Sequence, residues 1–362
     1  MELTAICGEL STEILPRLHS STNYLDNVIR LLKSDNLLRL YSKDKVKGYR
    51  LSKKVKDFLL VQNPDRFELY LSGNAETNLL KSELVRRLRL HRLAEMYVLM
   101  MEADIPVYRD LKPDVFSPDG CAVSTLSGPA FYTSREIKQM GMETVKISGS
   151  RIAGALLTMD GVYLTYNGGY GLAKMDYRAE QRAKALLTAT VCYERLSTQY
   201  KAEQVAGLMV GKGLALFSDI LTSTDSTARC FFLRDGSYEH FYYLTNDHYG
   251  EVLLKLLCSK AKRAALNSVL TQGLKPGMPG LSIVNDAIDR DGNPVLFGYL
   301  LDMPRINRFC NGLELHQKSG TLICFDFQSE ALRSFCGSRV QIQAIRFDKF
   351  EGSFFNQKKQ SP

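Results

Sequence analysis

Residues 37 to 52 read LLRLYSKDKVKGYRLS, two strand-like alternations around a polar tip in which lysines 43, 45 and 47 flank Asp44. The stretch before it, TNYLDNVIRLLKSD, repeats Tyr24, Leu25, Val28, Leu31 and Leu32 at helical spacing and predicts an amphipathic helix with one buried stripe. Thr22, Asn23, Asp26, Asn27, Arg30 and Lys33 are left on its outer face. Residues 2 to 8 predict a short apolar helix, Ser11 and Thr12 open another, and KKVKDFLL predicts a helix after the hairpin.

Helix, helix, helix, strand, tip, strand, helix is the order of a winged helix-turn-helix, expected over residues 1–62. The charge agrees. Between Arg30 and Lys56 ten basic residues face only Asp35 and Asp44, a surplus equal to the +8 of the whole chain, so the remainder is balanced. Polar and basic side chains on a helix suit the major groove, and a cationic hairpin along phosphates releases counterions. Double-stranded DNA is therefore the expected partner. Thr22, Asn23, Asn27, Arg30 and Lys33 are assigned to the helix contact, and Lys43, Lys45, Lys47 and Arg50 to the phosphates. Lys53, Lys54 and Lys56 open the next helix and read as solvated.

Residues 63–112 read as a helical linker, in which NPDRF ends the preceding helix and LLKSELVRRLRLHRLAEMYVLMMEADI forms one long amphipathic helix. Its Arg86, Arg87, Arg89, His91 and Arg92 either extend a DNA surface or form a solvated or interdomain face, and Met96, Met100 and Met101 read as packing residues. Residues 113–350 alternate short strands, among them CAVSTL and AFYTS, with helices, and show no internal repeat. Hairpins are expected at Asp160-Gly161, within RCFFLRDGSYEHFYYL, and at AIDRDGNPVLFG. The fold class is thus α+β, a winged helix and helical linker followed by a mixed α/β domain with several hairpins; residues 351–362 are expected to form a disordered tail.

Residue spacing argues against most chemistry. Eight cysteines stand singly in apolar surroundings and read as buried free thiols. GLMVGKGL spaces its glycines wrongly for a phosphate loop, and AIDRDGNPVLFG has Gly298 where a calcium loop needs its last carboxylate. His240 and His248 are not at ligand spacing. Asp114 or Asp119 followed by Glu136 and Lys138 has the form of a metal-dependent nuclease, but SREIKQMG reads as a helix capped by Ser134, where positions two apart do not share a face. YNGGYGLAKMDYRAEQR offers either a phosphate site at a helix start or a plain strand-to-helix turn. No cofactor or metal is expected. No apolar run is long enough to span a membrane and the N-terminus has no signal-peptide pattern, which places the chain in the cytoplasm.

The segments YRLSKKVKDFLL, LVRRLRLHRLAEM, KPDVF, FYTSREIK, ISGSRIAGALLT and GVYLTYN resemble proteins of conjugative and plasmid-like elements of Firmicutes, similar to the replication-relaxation group. That resemblance implies a winged helix joined to an α/β domain likened to nuclease folds. It further implies a role in plasmid replication, DNA relaxation or transfer. The larger domain is expected to serve homo-oligomerisation or recruitment of replication or transfer proteins. A metal-dependent nuclease acting on DNA and a winged-helix transcriptional regulator are the competing expectations.

Overall fold

The computed structural model describes residues 1–19, 21–79, 81–141, 149–169, 175–222, 237–277 and 282–355. The chain is mixed α+β and divides into two units, Met1–Ser117 and Pro118–Pro362. In the first unit the order is α1 (Glu2–Cys7), β1 (Leu10–Ser11), α2 (Leu15–Leu18), α3 (Thr22–Ser34), β2 (Leu38–Lys43), β3 (Val46–Leu51), α4 (Lys53–Gln62), α5 (Pro64–Leu71) and α6 (Leu84–Glu102). The three strands form one antiparallel sheet in the order β1-β3-β2.

The segment 63–112 is not a linker. Pro64 starts α5 rather than only ending α4, because proline fits the first turn of a helix and the Asn63 side chain accepts the Arg66 amide at 3.0 Å. Phe67 and Tyr70 of α5 and Leu90, Ala94, Tyr97, Leu99 and Met100 of α6 are buried, so these two helices supply much of the unit's interior. Met96 is buried with them, whereas Met101 is exposed.

The second unit contains one sheet plan twice. The first copy has β4 (Ala130–Thr133), α7 (Ser134–Ile137), β5 (Gly154–Leu157), β6 (Val162–Gly169), α8 (Tyr177–Thr188) continued by a π-helical segment (Ala189–Arg195), β7 (Val205–Gly211), α9 (Ala215–Thr222), β8 (Phe241–Thr245), α10 (His248–Leu257) and α11 (Lys260–Leu270). The second has β9 (Lys275–Pro276), β10 (Ala287–Ile288), β11 (Pro294–Phe297), α12 (Met303–Leu315), β12 (Gly320–Phe325), α13 (Ser329–Phe335), β13 (Val340–Ile345) and α14 (Phe347–Phe354). Each sheet runs in sequence order, with its first three strands antiparallel and its last two added in parallel across helices. The expected absence of a repeat is therefore overturned at the level of topology.

Equivalent helices of the two copies meet. Helix α9 packs on α13, each joining the fourth to the fifth strand of its sheet. Helices α10 and α14, each following a fifth strand, touch where His248 Nε2 lies 2.9 Å from Glu351 Oε1 and the Tyr249 ring lies 4.9 Å from that of Phe347. Like surfaces meeting like is the mark of a two-fold interface, here within one chain. The match is incomplete: among the described residues β8 is largely buried and has α12 against it, while β13, at the end of its sheet, is half exposed.

Several local expectations change. CAVSTL is not a strand: its Leu126 amide donates to Gln199 Oε1 at 2.6 Å and its Ser124 carbonyl accepts from Thr198 at 3.0 Å, so side chains rather than a strand partner hold it. The helix expected over NDHYGEVLLKLLCSKAKRAAL is two, α10 and α11, the second capped by Ser259 at 3.3 Å from the Lys262 amide. The hairpin within RCFFLRDGSYEHFYYL falls largely on residues 223–236, outside the described residues, as do part of the glycine-rich stretch (170–174), Cys230 and the end of the tail (356–362). Residues 351–354 of the expected tail are the end of α14. The seven described cysteines are free thiols, four of them buried. Among the described residues no helix is long and apolar enough to cross a membrane.

Phe347 is buried against Tyr249, Phe325, Phe327 and Phe350 where the two copies meet. Phe347→Ala should destabilise the second unit by about 3–5 kcal/mol, read as a lowered urea midpoint. A loss below about 1 kcal/mol would show that this cluster does not hold the copies together.

Candidate nucleic-acid interface

Helix α3 begins at Ser21, whose hydroxyl accepts the Tyr24 amide at 3.3 Å, and contains no fully buried residue. Leu25, Val28, Ile29 and Leu32 are half-buried. Tyr24 and Leu31, expected in the buried stripe, are instead 57% and 55% exposed and border the outer face. Asn23, Asn27 and Arg30 are all exposed and, at i, i+4 and i+7, form one outward line; Thr22 and Lys33, also exposed, flank it.

The hairpin closes on two residues. Lys43 pairs with Val46, leaving Asp44 and Lys45 at φ 53° and 62°, the left-handed pair that a tight primed turn requires. Lys43, Lys45 and Lys47 are exposed. Ser42 opposes Lys47 and Lys43 opposes Val46, so alternation sends Lys43 and Lys47 to opposite faces of the ribbon with Lys45 at its tip.

Arg50 is not at this surface. Its side chain turns inward, with Nε 2.8 Å and Nη2 2.6 Å from Glu9 Oε2, its guanidinium 3.9 Å over the Tyr41 ring, and a further hydrogen bond to the Lys81 carbonyl. Arg87 reaches the same carboxylate, Nη2 lying 2.6 Å from Oε1, and donates to the carbonyls of Lys43 at 3.0 Å, Tyr41 at 3.2 Å and Val46 at 3.0 Å. His91 Nε2 completes the set at 2.9 Å from Glu9 Oε1. Glu9 and the Arg87 side chain are both 0% exposed. Gly48 makes room for this cluster, since a Cβ there would stand 2.3 Å from Glu9 Oε1 and 2.8 Å from His91 Nε2.

Two members of the arginine and histidine cluster of α6 are thus interior, because a buried carboxylate and the carbonyls of the hairpin satisfy them. Arg86 and Arg89 remain exposed, near Glu83 at 3.1 Å and Glu76 at 3.7 Å. Glu9 was not singled out from the sequence. The available signals were an acid amid the apolar residues of 3–10 and the i, i+4 spacing of Arg87 and His91.

Burial alone would push the Glu9 carboxyl up. The hydrogen bonds from His91, Arg87 and Arg50, with the charge of Arg50, outweigh it and hold the group at about 2, against an ordinary 4.5.

The other constellations do not assemble. Glu136 is buried as a helix cap, its Oε2 accepting the Thr133 amide at 2.8 Å and hydroxyl at 3.1 Å, so Thr133 rather than Ser134 is the N-cap. Asp114 pairs with Arg109 at 2.6 Å. His240 pairs with Asp302 at 2.6 Å, while His248 lies between Glu251 and Glu351. Asp289 Oδ1 accepts the amides of Asp291 and Asn293 at 2.9 and 2.8 Å, which closes the β10–β11 turn. No group of three metal-ligating side chains is found among the described residues.

No protein-family model matches the chain, and neither the curated proteins nor the solved structures compared with it contain a match.

Glu9→Gln should destabilise the first unit by about 3–5 kcal/mol, because two buried guanidiniums lose their counter-charge. The depressed pKa also sets a pH dependence. Its stabilisation is complete above pH 4.5 and is lost as pH falls from there toward about 2. Urea titrations between pH 7 and 3 should show the gap between wild type and variant closing; a constant gap would mean that ionisation of Glu9 contributes nothing.

Proposed function

We propose that the first unit is a winged-helix DNA-binding module and that the protein is an accessory DNA-binding protein of a mobile genetic element, acting in the cytoplasm in its replication, relaxation or transfer. The observation that carries this reading is the outward line Asn23, Asn27 and Arg30 on a helix without one fully buried residue, beside a hairpin with three exposed lysines. The sequence of elements from α1 to β3, with β3 between β1 and β2, is the order expected of a winged helix.

In this reading α3 enters the major groove. Asn23 and Asn27 suit adenine edges, Arg30 suits guanine, and the exposed Tyr24 and Leu31 supply apolar contact with thymine methyls. Thr22 and Lys33 flank these at the backbone. The hairpin carries cations on both faces and at its tip, which suits a ribbon lying between two rows of phosphates. Arg50 holds the hairpin and contacts no phosphate. The paired copies of the second unit serve assembly or the recruitment of replication or transfer proteins. The nuclease alternative loses Glu136, which is spent as a cap; incubation of supercoiled plasmid with the protein and magnesium or manganese tests it directly.

Replacing Lys43, Lys45 and Lys47 together with Ala should weaken DNA binding and flatten its salt dependence by about 0.9 per phosphate contact removed. Asn27→Ala should cost about 1–3 kcal/mol and relax selectivity at one base pair. Both are measured by fluorescence anisotropy on a site selected from random duplexes. Unchanged affinity and salt slope in the triple variant would overturn the assignment.

A further inference from the structure

In the second copy the C-terminal half of α12 lies against the end of α13. Cys336 caps α13, and the turn after it is short, the Val340 amide closing on the Gly337 carbonyl at 3.1 Å as β13 starts. Gly337 lets this turn come close, since a Cβ there would stand 2.9 Å from Glu314 Oε1 of α12. Arg339, at the far end of the turn, pairs with the other oxygen of Glu314, its Nε 3.2 Å from Oε2. A close backbone approach and an ion pair thus hold the two elements together.

Cys310 stands four residues before Glu314, on the same face of α12. Its Sγ lies 3.7 Å from Sγ of Cys336, and the two thiols share a hydrogen bond across 26 residues of sequence. Side-chain rotation supplies the step from such a contact to the about 2.05 Å of a disulfide. Cys310 is buried and Cys336 half-buried, so an oxidant in solution meets Cys336 first and Cys310 is the thiol next to it.

We propose that Cys310 and Cys336 form a redox modification site, which a two-electron oxidant of the peroxide class converts to a disulfide stapling α12 to α13. The Cys336 thiolate sulfur attacks one peroxide oxygen, the O–O bond breaks, and the leaving hydroxide takes up the proton that the thiol lost, giving water. The Cys310 sulfur then attacks the sulfur of the resulting sulfenic acid. The S–O bond breaks, and hydroxide leaves with the Cys310 proton as a second water. Two thiols and one peroxide give one disulfide and two waters.

The bond closes a loop that contains β12 and α13. Helix α13 is the one that packs on α9 of the first copy, so the oxidised chain holds one side of that contact more tightly. The hydrogen bond with Cys310 and burial push the Cys336 thiol up, so its thiolate is scarce at neutral pH and the bond forms under sustained exposure to oxidant. The proposal is independent of DNA binding, since it rests on no residue of the first unit.

The test oxidises the folded full chain with hydrogen peroxide, blocks the remaining thiols with iodoacetamide in urea, and maps tryptic peptides without reduction. Trypsin cuts after Arg308, Lys318, Arg333 and Arg339, which puts Cys310, Cys324 and Cys336 on three separate peptides. The expected product is peptide 309–318 joined to peptide 334–339, lighter than their sum by two hydrogens and separated by dithiothreitol. The urea midpoint should rise with the bond and fall back on reduction, and Cys336→Ala should show neither change. Met159, which is 50% exposed, is the control for dose through its conversion to the sulfoxide. Oxidation of Met159 without the linked peptide, sulfinic acid at Cys336 with Cys310 still alkylated, a bond to Cys324 or between two chains, or an unchanged urea midpoint in the linked chain would each overturn it.

Discussion

The carboxylate of Glu9 joins three parts of the first unit that are distant in sequence: the start of β1, the strand β3 and the long helix α6. Two guanidiniums and an imidazole converge on it, and the two guanidiniums alone carry more positive charge than the one carboxylate can balance in the interior. The excess is met by dipoles, because the remaining guanidinium N–H groups point at the carbonyls of Tyr41, Lys43, Val46 and Lys81. This fixes the hairpin by its backbone rather than by its side chains. Lys43, Lys45 and Lys47 are consequently free of structural duty, while their positions are set by Arg87 from beneath. Helix α3, by contrast, rests on half-buried residues and owes its place to a few aliphatic contacts.

Sequence patterning read the first unit well where the signal was local. The span of α3 and the strand β2 depend on neighbours within a few residues and appear within a residue of where they were expected. The tip expected over residues 43–48 is instead a two-residue turn, so that β3 begins at Val46, three residues before the expected return strand, and Tyr24 and Leu31 leave the buried stripe. Arginines at helical spacing look the same whether they face water or a buried acid, so nothing near Arg87 shows that it points inward. The partner that decides it lies 78 residues away. Pro64 was ambiguous for a related reason, since the same ring ends one helix and begins the next.

The repeat in the second unit escaped pattern reading because strand order and direction are what the copies share. Strands as short as Lys275–Pro276 and Ala287–Ile288 leave almost no alternation to match against Ala130–Thr133 and Gly154–Leu157. The hairpin signals did survive in both copies, as Asp160-Gly161 and Asp289 to Gly292, at the same step between second and third strands. The candidate nuclease pair failed for a physical reason visible in part beforehand: a glutamate three residues into a helix is more useful to the helix than to a metal.

Two sheets of one plan within a single polypeptide escape a restriction that governs true homodimers. When two identical chains meet across a two-fold axis, every amino-acid change is made twice, and a feature tolerable on one side must be tolerable on both. Here α9 and α13 can drift apart, β8 can be largely buried while β13 is half exposed, and one connecting helix can take on π turns that its counterpart lacks. Each copy can thus carry a feature that the other lacks.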